Sequence, residues 1–456
     1  MRILGKRSLS SVVKVFIDIS YFVTILATVA LTIAITLVYI WQPKSFTQDI
    51  PISFDLDSSV YHVSSSSWKF EAAHIVQAAG RLQVVGLNIR DTVSPVVFVL
   101  PALGVTLLVL NRLRAIFRTL RQGTPFVYEN ASRIRVIGLA LIFGNLAWAG
   151  FMSWTAYSVS HHLTTAGISI RSGYDSSNVA LLSGVLLIII AEIFREGALM
   201  KRDMETAREI QFELVPAPYF EQGNICIQSY MRPANTVGGD YYDIIPLEAR
   251  RIALALGDVS GKGMPAALLM SLLQGSLKAL VSAGFRGGEL IARLNTSLLR
   301  NTPESSMVTM FYGELDTDKG EMLYVNAGHN APFLIRAGGG LERFPATGTV
   351  LGLLEGALFE ARRLDLHAGD ALLLFTDGIP EAFNAREEEF GEARLTARLR
   401  QTQLRDPRAF VESLVNEVVR FSRPAQPTDD MTLMLLTKNA EASSSRGSPA
   451  GTIGGN

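Results

Sequence analysis

Long apolar runs alternate with polar, basic connections over the first 200 or so residues. The runs lie at residues 15–40, 93–110, 134–157 and 179–194. About 20 apolar residues in a helix cross the ~30 Å hydrocarbon core of a bilayer. The pattern therefore predicts an all-α membrane module of four transmembrane helices over residues 1–195. The first run is too long for the apolar part of a cleaved signal peptide, so we expect it to remain as an anchor.

Basic residues are concentrated at one end of these predicted spans. They precede the first run, fill the connection between the second and third runs, and follow the fourth: Arg2, Lys6, Arg7, Lys14, Arg112, Arg114, Arg118, Arg121, Arg133, Arg135, Arg195, Lys201 and Arg202. Cytoplasmic loops carry an excess of Lys and Arg. We therefore predict a multi-pass protein of the inner (plasma) membrane, with a cytoplasmic N-terminus and C-terminal region. Residues 42–92 and 158–178 would be extracytoplasmic loops, the first with a few strands.

Four polar residues lie in or near the spans: Asp18, Asn111, Asn145 and Glu192. Ionisable groups inside a membrane are functional suspects by default, and a transporter would require them deep in the spans. Asp18 and Glu192 lie near the predicted cytoplasmic ends, within reach of water. A transporter with an appended regulatory domain is therefore disfavoured.

Apolar residues recur every seven positions from the fourth run into residues 196–215. They are Ile193, Met200, Ala207 and Leu214, with charged residues between them. A heptad seam of this kind is typical of a coiled coil, although three heptads with Ala and Met are short. The pattern predicts a helical linker through which the protein forms a homodimer. The alternative is a solvated amphipathic tether.

Residues 216–438 have the patterning of a globular domain. Strand patterns lie at residues 225–231, 241–245, 252–256, 308–315, 322–325, 333–336, 371–375 and 431–436, and helical patterns at 265–281, 288–299, 391–400 and 407–421. Strands and helices cluster rather than alternate, which favours an α+β fold over a doubly wound parallel sheet. Residues 439–456 are polar and small, so we predict a disordered tail.

Composition excludes several kinds of protein. The 456 residues carry a formal net charge of +0, which gives no support for a nucleic-acid partner. The single cysteine, Cys226, excludes an intramolecular disulfide and a cysteine-rich zinc site. Mean hydropathy is +0.25, high for a soluble enzyme, in agreement with the four apolar runs.

Four short acidic motifs in the globular region carry the candidate chemistry. Each places an aspartate beside glycine or at the edge of a strand pattern: Gly238-Gly239-Asp240, Gly257-Asp258-Val259-Ser260-Gly261-Lys262-Gly263, Thr376-Asp377-Gly378 and Thr428-Asp429-Asp430-Met431-Thr432. Gathered carboxylates repel one another unless cations lie between them. Oxygen ligands without a Cys or His cluster select Mg²⁺ or Mn²⁺. The motifs therefore indicate a two-metal hydrolase, whose usual substrates are phosphate esters.

The order of these motifs resembles a known family. Glu205–Gln211, Val215-Pro216 and Pro233-Ala234 precede them, and Asn326-Ala327-Gly328-His329 and Phe390-Gly391 lie among them. Over residues 203–438 the chain is similar to the sporulation-protein-E-like branch of the metal-dependent Ser/Thr protein phosphatases (the PPM superfamily), the bacterial relatives of protein phosphatase 2C. The resemblance implies two antiparallel sheets packed between helical layers. Gly123–Phe126 with Glu129-Asn130 also resembles a family of uncharacterised four-helix membrane modules.

The phosphatase resemblance implies roles for individual residues. Asp258 would bridge two divalent cations, Mn²⁺ or Mg²⁺, with the Val259 carbonyl as a further ligand. Asp377 and Asp429 would complete one metal, Asp430 being the alternative to Asp429. Asp240 would hold a metal-bound water, so Asp240 and Asp258 would be the catalytic carboxylates of a two-metal hydroxide mechanism.

The sequence departs from the eukaryotic members of that superfamily at two places. They have a histidine two residues after the bridging aspartate, as an acid for the leaving group, where this chain has Ser260. Their phosphate-binding arginine has no counterpart here. Lys262 either supplies that positive charge or faces solvent, and we interpret His329 as a local structural hydrogen bonder in a tight turn.

These patterns together predict a membrane-anchored, signal-regulated phosphatase for phosphoserine or phosphothreonine on a protein. By resemblance, that protein would be a phosphorylated antagonist of an anti-sigma factor. The alternative is a catalytically inactive receptor, a pseudophosphatase that binds such a partner. Intact aspartates at every motif weigh against it, because an inactive site need not retain mutually repelling carboxylates.

Overall fold

A computed structural model describes residues 9–41, 46–56, 78–87, 89–162, 168–172, 178–248, 250–303, 306–402, 406–424 and 428–439. The chain divides into two compact units, Met1–Arg202 and Asp203–Asn456. Each unit is presented by itself. The predicted disordered tail lies outside the described residues beyond Asn439, as do parts of both predicted extracytoplasmic loops.

The first unit contains four long helices and a small sheet. In chain order the elements are α1 (Leu9–Trp41), β1 (Phe46–Leu56), β2 (Ala78–Leu87), α2 (Ile89–Gln122), α3 (Tyr128–His162), β3 (Ile168–Ser172) and α4 (Asn178–Leu214). The helices include all four predicted spans and extend beyond them. The strands form an antiparallel sheet in the order β2-β1-β3. Strand β3 was not predicted, because its pattern is too short to distinguish from a loop.

The ionisable residues suspected in the spans are paired within this unit. Asp18 accepts a hydrogen bond from Lys14 at 2.6 Å and another from Arg114. Glu192 pairs with Arg135 at 3.2 Å and with Arg195. Paired charges of this kind do not require a transport pathway to explain them.

The second unit begins in the last turns of α4 and continues with an α+β domain. Its further elements are β4 (Tyr219–Gln222), β5 (Ile225–Arg232), β6 (Tyr241–Pro246), β7 (Arg251–Val259), α5 (Met264–Ser282), α6 (Gly287–Asn301), β8 (Val308–Asp316), β9 (Glu321–Ala327), β10 (Phe333–Ile335), β11 (Leu341–Arg343), β12 (Arg362–Asp365), β13 (Ala371–Phe375), α7 (Gly391–Arg400), α8 (Pro407–Ser422) and β14 (Met431–Lys438).

The strands of the second unit form two antiparallel sheets. One has six strands in the order β11-β10-β13-β14-β5-β4, and the other has five in the order β12-β9-β8-β7-β6. Every strand pair in them is antiparallel. The α+β prediction with two antiparallel sheets is therefore confirmed.

Side-chain alternation along the strands sorts the core into layers. In β7, Leu254 faces the core between the sheets, whereas Ala255 faces the core under α5 and α6. In β13, Leu372 faces the core between the sheets and Leu373 the core under α7 and α8. Successive strand residues point to opposite faces, so each sheet buries both. The layer order is helices, sheet, sheet, helices.

Five helices among the described residues are long and apolar enough to cross a membrane, not the four predicted. Four of these lie in α1–α4. The fifth is α5, whose Met270, Leu273 and Leu277 are fully buried in the core of the second unit. Packing against the five-stranded sheet explains the apolar composition of α5 without a bilayer.

Candidate active site

Strand pairing brings the aspartate motifs to one end of each sheet. Tyr241 pairs with Gly257, so Asp240 just before β6 and Asp258 near the end of β7 are neighbours. Phe375 pairs with Leu433 in the other sheet. Asp377, after β13, and Asp429, before β14, are therefore neighbours as well. Antiparallel pairing thus brings the first two motifs together in one sheet and the last two together in the other.

A threonine joins the two sheets at this point. Thr376 is fully buried, and its hydroxyl donates to Asp240 Oδ2 at 2.9 Å. The Thr432 backbone N–H donates to the same hydroxyl at 3.0 Å. Thr376 thus fixes Asp240 of one motif against the strand that follows Asp429.

The carboxylates raise one another's pKa values. Burial, then the charges of Asp377 and Asp429, raise the pKa of Asp258 to about 7. Burial and the charge of Asp258 raise the pKa of Asp240 well above its ordinary value. Burial and Asp429 also raise the pKa of Asp377. Burial and mutual repulsion therefore disfavour the ionised carboxylates, which is the condition that bound cations relieve.

The two neighbouring aspartates of the last motif have different environments. Asp430 is 8% exposed, and its carboxylate accepts from the backbone N–H groups of Ala234 at 2.7 Å and Gly239 at 2.6 Å. Asp429 keeps a side chain that is 30% exposed and pairs with Lys262. Asp430 therefore fastens the Gly238–Asp240 turn, while the Asp429 carboxylate points to a charged, accessible partner.

Two glycines make these close approaches sterically feasible. A Cβ at Gly238 would lie 2.2 Å from Asp430 Oδ2, and one at Gly378 would lie 1.9 Å from the Asp430 carbonyl oxygen. Neither position can hold a larger residue without separating the motifs. Gly238 thus permits contact between the sheets, and Gly378 permits contact between two motifs of the same sheet.

Lys262 supplies positive charge at the cluster. Its Nζ lies 2.8 Å from Asp429 Oδ2 and donates to the Thr428 carbonyl. The hydrogen bond and charge of Asp429 raise the pKa of the Lys262 ammonium, which stays protonated. The Lys262 side chain is also 51% exposed, so its charge lies beside Asp429 at a position that faces solvent.

The donor set fits divalent cations in its chemistry. It consists of carboxylate oxygens together with the Val259 carbonyl, which would lie 2.8 Å from a Cβ on Gly239. Hard oxygen donors suit Mg²⁺ and Mn²⁺. In the described part of the chain, no group of three or more His, Cys, Asp or Glu side chains is arranged to hold a metal ion as it stands. The Lys262 ammonium is the cation that Asp429 contacts here.

Ser260 and His329 have structural contacts. The Ser260 hydroxyl accepts from the Met307 N–H at 2.9 Å. His329 is 4% exposed; its N–H donates to Asn326 Oδ1 at 2.8 Å, and its Nδ1 lies 2.8 Å from the Thr309 hydroxyl. Burial lowers the pKa of His329 to about 4, so its imidazole is neutral at pH 7.

Sequence reasoning missed Gln211 as a residue of this site. It is buried in the last turn of α4, where its Nε2 donates to the Gly238 carbonyl at 2.7 Å and its Oε1 accepts from the Gly238 N–H at 3.1 Å. Its place at the end of the motif-like run Glu205–Gln211 is a signal for it, but nothing in that run identifies its partner. Gln211 ties α4 to the turn that carries Asp240.

Comparison with known proteins identifies the family of the C-terminal region. Residues 248–439 match the family model described as Stage II sporulation protein E, and residues 71–207 match a protein of unknown function, DUF2975. Residues 248–439 are thus a SpoIIE-type domain, with the two-sheet α+β fold described above. An N-terminal helical region precedes it.

Individual known proteins are similar to parts of this chain. Protein IcfG of Synechocystis sp. is 24% identical over 68% of this chain and 56% of its own length. The phosphoserine phosphatase RsbU of Bacillus subtilis is 27% identical over 52% of this chain and 71% of its own length. The solved PP2C domain of SiaA from Pseudomonas aeruginosa is 17% identical, with a TM-score of 0.46, over 52% of this chain and 96% of that one. Of these relatives, RsbU is named as a phosphoserine phosphatase. The match spans little more than half of the length of IcfG.

Proposed function

We propose that this protein is a membrane-anchored, signal-regulated phosphatase that hydrolyses phosphoserine or phosphothreonine on a protein. The carrying observation is the cluster of Asp240, Asp258, Asp377 and Asp429, collected from both sheets at one end of the domain. Burial, then the charges of Asp377 and Asp429, raise the pKa of Asp258 to about 7, and bound cations would offset both effects. Homology to the phosphoserine phosphatase RsbU supports the reaction class.

In this proposal each aspartate has one task. Asp258, Asp377 and Asp429 would hold the cations, Mn²⁺ or Mg²⁺, together with the Val259 carbonyl. Asp240, whose carboxylate accepts a hydrogen bond from the Thr376 hydroxyl, would orient a water molecule. When bound, the cations lower the pKa of a water molecule and offset charge on the phosphoryl oxygens. Lys262 adds positive charge at the edge of the aspartate cluster, where it would attract the negatively charged phosphate.

Asp429 is the better candidate ligand than Asp430. Both Asp430 carboxylate oxygens accept backbone N–H groups, so they are already used in holding the Gly238–Asp240 turn. Asp429 instead pairs with the half-exposed ammonium group of Lys262, whose place a divalent cation could take. This division agrees with the preference drawn from the sequence.

The N-terminal unit would anchor the enzyme in the inner membrane. The arginines of the α2–α3 connection support a cytoplasmic location for that turn, for the N-terminus and for the catalytic domain. Met200 and Leu214 of the predicted seam are 68% and 38% exposed, which supports the predicted homodimer through the linker. The substrate would be a phosphorylated antagonist of an anti-sigma factor, as the resemblance implies.

The competing function is a pseudophosphatase that binds such a partner without turnover. The Lys262–Asp429 ion pair favours it, because an ammonium group at that place can stabilise the carboxylates without metal. The gathering of four carboxylates favours catalysis, because a binding module gains nothing from their mutual repulsion.

An assay of the full-length protein in detergent micelles separates the two functions. Turnover of p-nitrophenyl phosphate is measured with Mn²⁺, with Mg²⁺, and after chelation. The phosphatase proposal predicts metal-dependent hydrolysis that chelation abolishes and added Mn²⁺ restores. Absence of hydrolysis with either metal, by protein with an intact circular dichroism spectrum, would establish the binding module instead.

A further inference from the structure

Three leucines between β11 and β12 face solvent on a short stretch of chain. Leu353, Leu354 and Leu358 are 54%, 59% and 89% exposed, and Met307, which precedes β8, is 38% exposed. Single exposed apolar residues are ordinary, but a group of them on one surface marks an interaction site. These four residues are called the leucine rim below.

The segment that carries the leucines is held firmly from beneath. Asn295 of α6 is 1% exposed; its Oδ1 accepts from the Gly352 N–H at 2.8 Å and its Nδ2 donates to the Leu354 carbonyl at 2.9 Å. Leu351 and Phe359, on either side, are buried at 0% and 8% exposure. Buried anchors on both sides present the leucines outward in a fixed arrangement, so their exposure is a feature of the fold.

The leucine rim adjoins the aspartate cluster. The Ser260 N–H donates to the Met307 carbonyl at 2.8 Å, and the Met307 N–H donates to the Ser260 hydroxyl at 2.9 Å. Ser260 follows Asp258 by two residues. A Cβ at Gly352 would lie 2.7 Å from the carbonyl oxygen of Ser306, which places Leu353 next to Met307. The apolar surface therefore begins at the loop that carries Asp258.

We propose that the leucine rim is the docking surface for the folded part of the phosphoprotein substrate. This inference rests on the proposed function and adds to it how the protein substrate is recognised. A phosphoserine side chain is short, so the surface of its own protein must cover the edge of the site when the phosphate reaches the aspartates. Apolar contact also suits this edge, because it adds binding energy that does not depend on the charge of the site.

Contacts away from the reacting atoms give the enzyme a means of choosing its substrate. Their binding energy is available only from a substrate that has a complementary folded surface. A small phosphoester or a short peptide lacks that surface and depends on the aspartates and Lys262 alone. Loss of the rim should therefore affect the folded substrate and leave the small ones unchanged.

The test compares three substrates of the full-length protein in detergent micelles with Mn²⁺. They are p-nitrophenyl phosphate, a phosphoserine peptide, and a purified bacterial anti-sigma-factor antagonist that carries the same phosphoserine sequence in its folded domain. The variants are Leu353→Ser/Leu354→Ser/Leu358→Ser together and Leu358→Ser alone. Leu323→Ser is the matched control, because Leu323 is 48% exposed. Leu323 of β9 pairs with Glu314 of β8. Thr309, the partner of Asp258, lies five residues from Glu314 along β8, a distance of about 17 Å.

The triple variant should raise KM for the folded phosphoprotein at least tenfold, with a smaller increase for Leu358→Ser. Turnover of p-nitrophenyl phosphate and of the peptide should stay within twofold, and Leu323→Ser should behave as the unaltered protein. The docking proposal is overturned if the KM for the phosphoprotein is unchanged. It is overturned equally if light scattering shows a changed oligomeric state while that KM stays the same. Equal kcat/KM for peptide and folded protein in the unaltered enzyme also overturns it. Failure of the unaltered enzyme to hydrolyse p-nitrophenyl phosphate would instead refute the proposed function.

Discussion

Gln211 and Gly238 exchange two hydrogen bonds, one from the Gln211 side-chain amide to the Gly238 carbonyl and one from the Gly238 N–H back to the Gln211 side chain, at 2.7 and 3.1 Å. Gln211 belongs to the helix that begins at Asn178 in the N-terminal unit. Gly238 begins the motif that ends in Asp240. The helix that leads from the N-terminal unit is thus bonded to the backbone of the candidate site.

We predict that Gln211→Ala lowers turnover about tenfold and raises the Mn²⁺ concentration needed for half-maximal activity. The variant leaves the buried N–H and carbonyl of Gly238 without partners, each a loss of about 1 kcal/mol or more, and a tenfold rate change corresponds to about 1.4 kcal/mol. Glu209→Ala, on an exposed position of the same helix, is the control. Equal metal titrations for the two variants would show that Gln211 has no positioning role.

The helical linker gives a second prediction. Insertion of one residue after Met204 rotates the rest of α4 by about 100°, because an α-helix has 3.6 residues per turn. Insertion of seven nearly restores the original face. If the heptad-spaced residues form a dimer seam that sets catalytic output, one residue should change activity and seven should not. Equal activity of both insertion variants in the full-length protein would make α4 a simple tether.

Membrane topology is testable with reporter fusions at three positions. The distribution of arginines predicts a cytoplasmic signal for fusions at Arg121 and Asn439. A fusion at Ser169, in β3, should report the extracytoplasmic side. An extracytoplasmic signal at Asn439 would overturn the assignment, because phosphoprotein substrates and the catalytic domain must share a compartment.

His329 should make the catalytic domain less stable in mild acid. Its folded pKa is about 4, against 6.5 for a free histidine, so the unfolded chain binds the proton first as the pH falls. The free energy of unfolding is therefore at its full value above pH 6.5. It falls by about 3 kcal/mol at most as the pH drops from 6.5 to 4. Measured by thermal unfolding at pH 7 and 5, His329→Asn should lose less stability than the unaltered protein.

The control for that measurement is His367→Asn, which removes a histidine whose side chain is 73% exposed. A loss of stability between pH 7 and 5 as large in His329→Asn as in the unaltered protein would show that another group causes it.

Much of the fold was predictable because its central strands are buried on both faces. The central strands β7, β13 and β14 are apolar at nearly every position, and their bounds differ from the predicted ones by a few residues at most. The edge strands β4, β11 and β12 were missed. In β12, only Leu364 of Arg362–Asp365 is buried, so four residues give no alternation to read.

The aspartates of the candidate site were predictable as motifs, but their supporting residues were not. Thr376 bonds Asp240 across 136 positions of sequence, and Asp430 bonds Gly239 across 191. Such partners depend on which strands pair, and local pattern carries no information about them. The different roles of Asp429 and Asp430 were not predictable either, because they depend on the distant backbone N–H groups that donate to Asp430.

The most direct test of the central claim is the turnover of p-nitrophenyl phosphate by Asp258→Asn in Mn²⁺. This substitution keeps the size of the side chain but removes the anionic charge proposed to bridge both cations. Turnover should fall at least ~10²-fold, a barrier increase of roughly 2.7 kcal/mol. Folding should survive, because loss of one charge relieves repulsion with Asp240 and Asp377. Asp365→Asn, at a surface position, should retain activity. Turnover by Asp258→Asn near that of the unaltered protein, with matched circular dichroism spectra, would contradict the two-metal site.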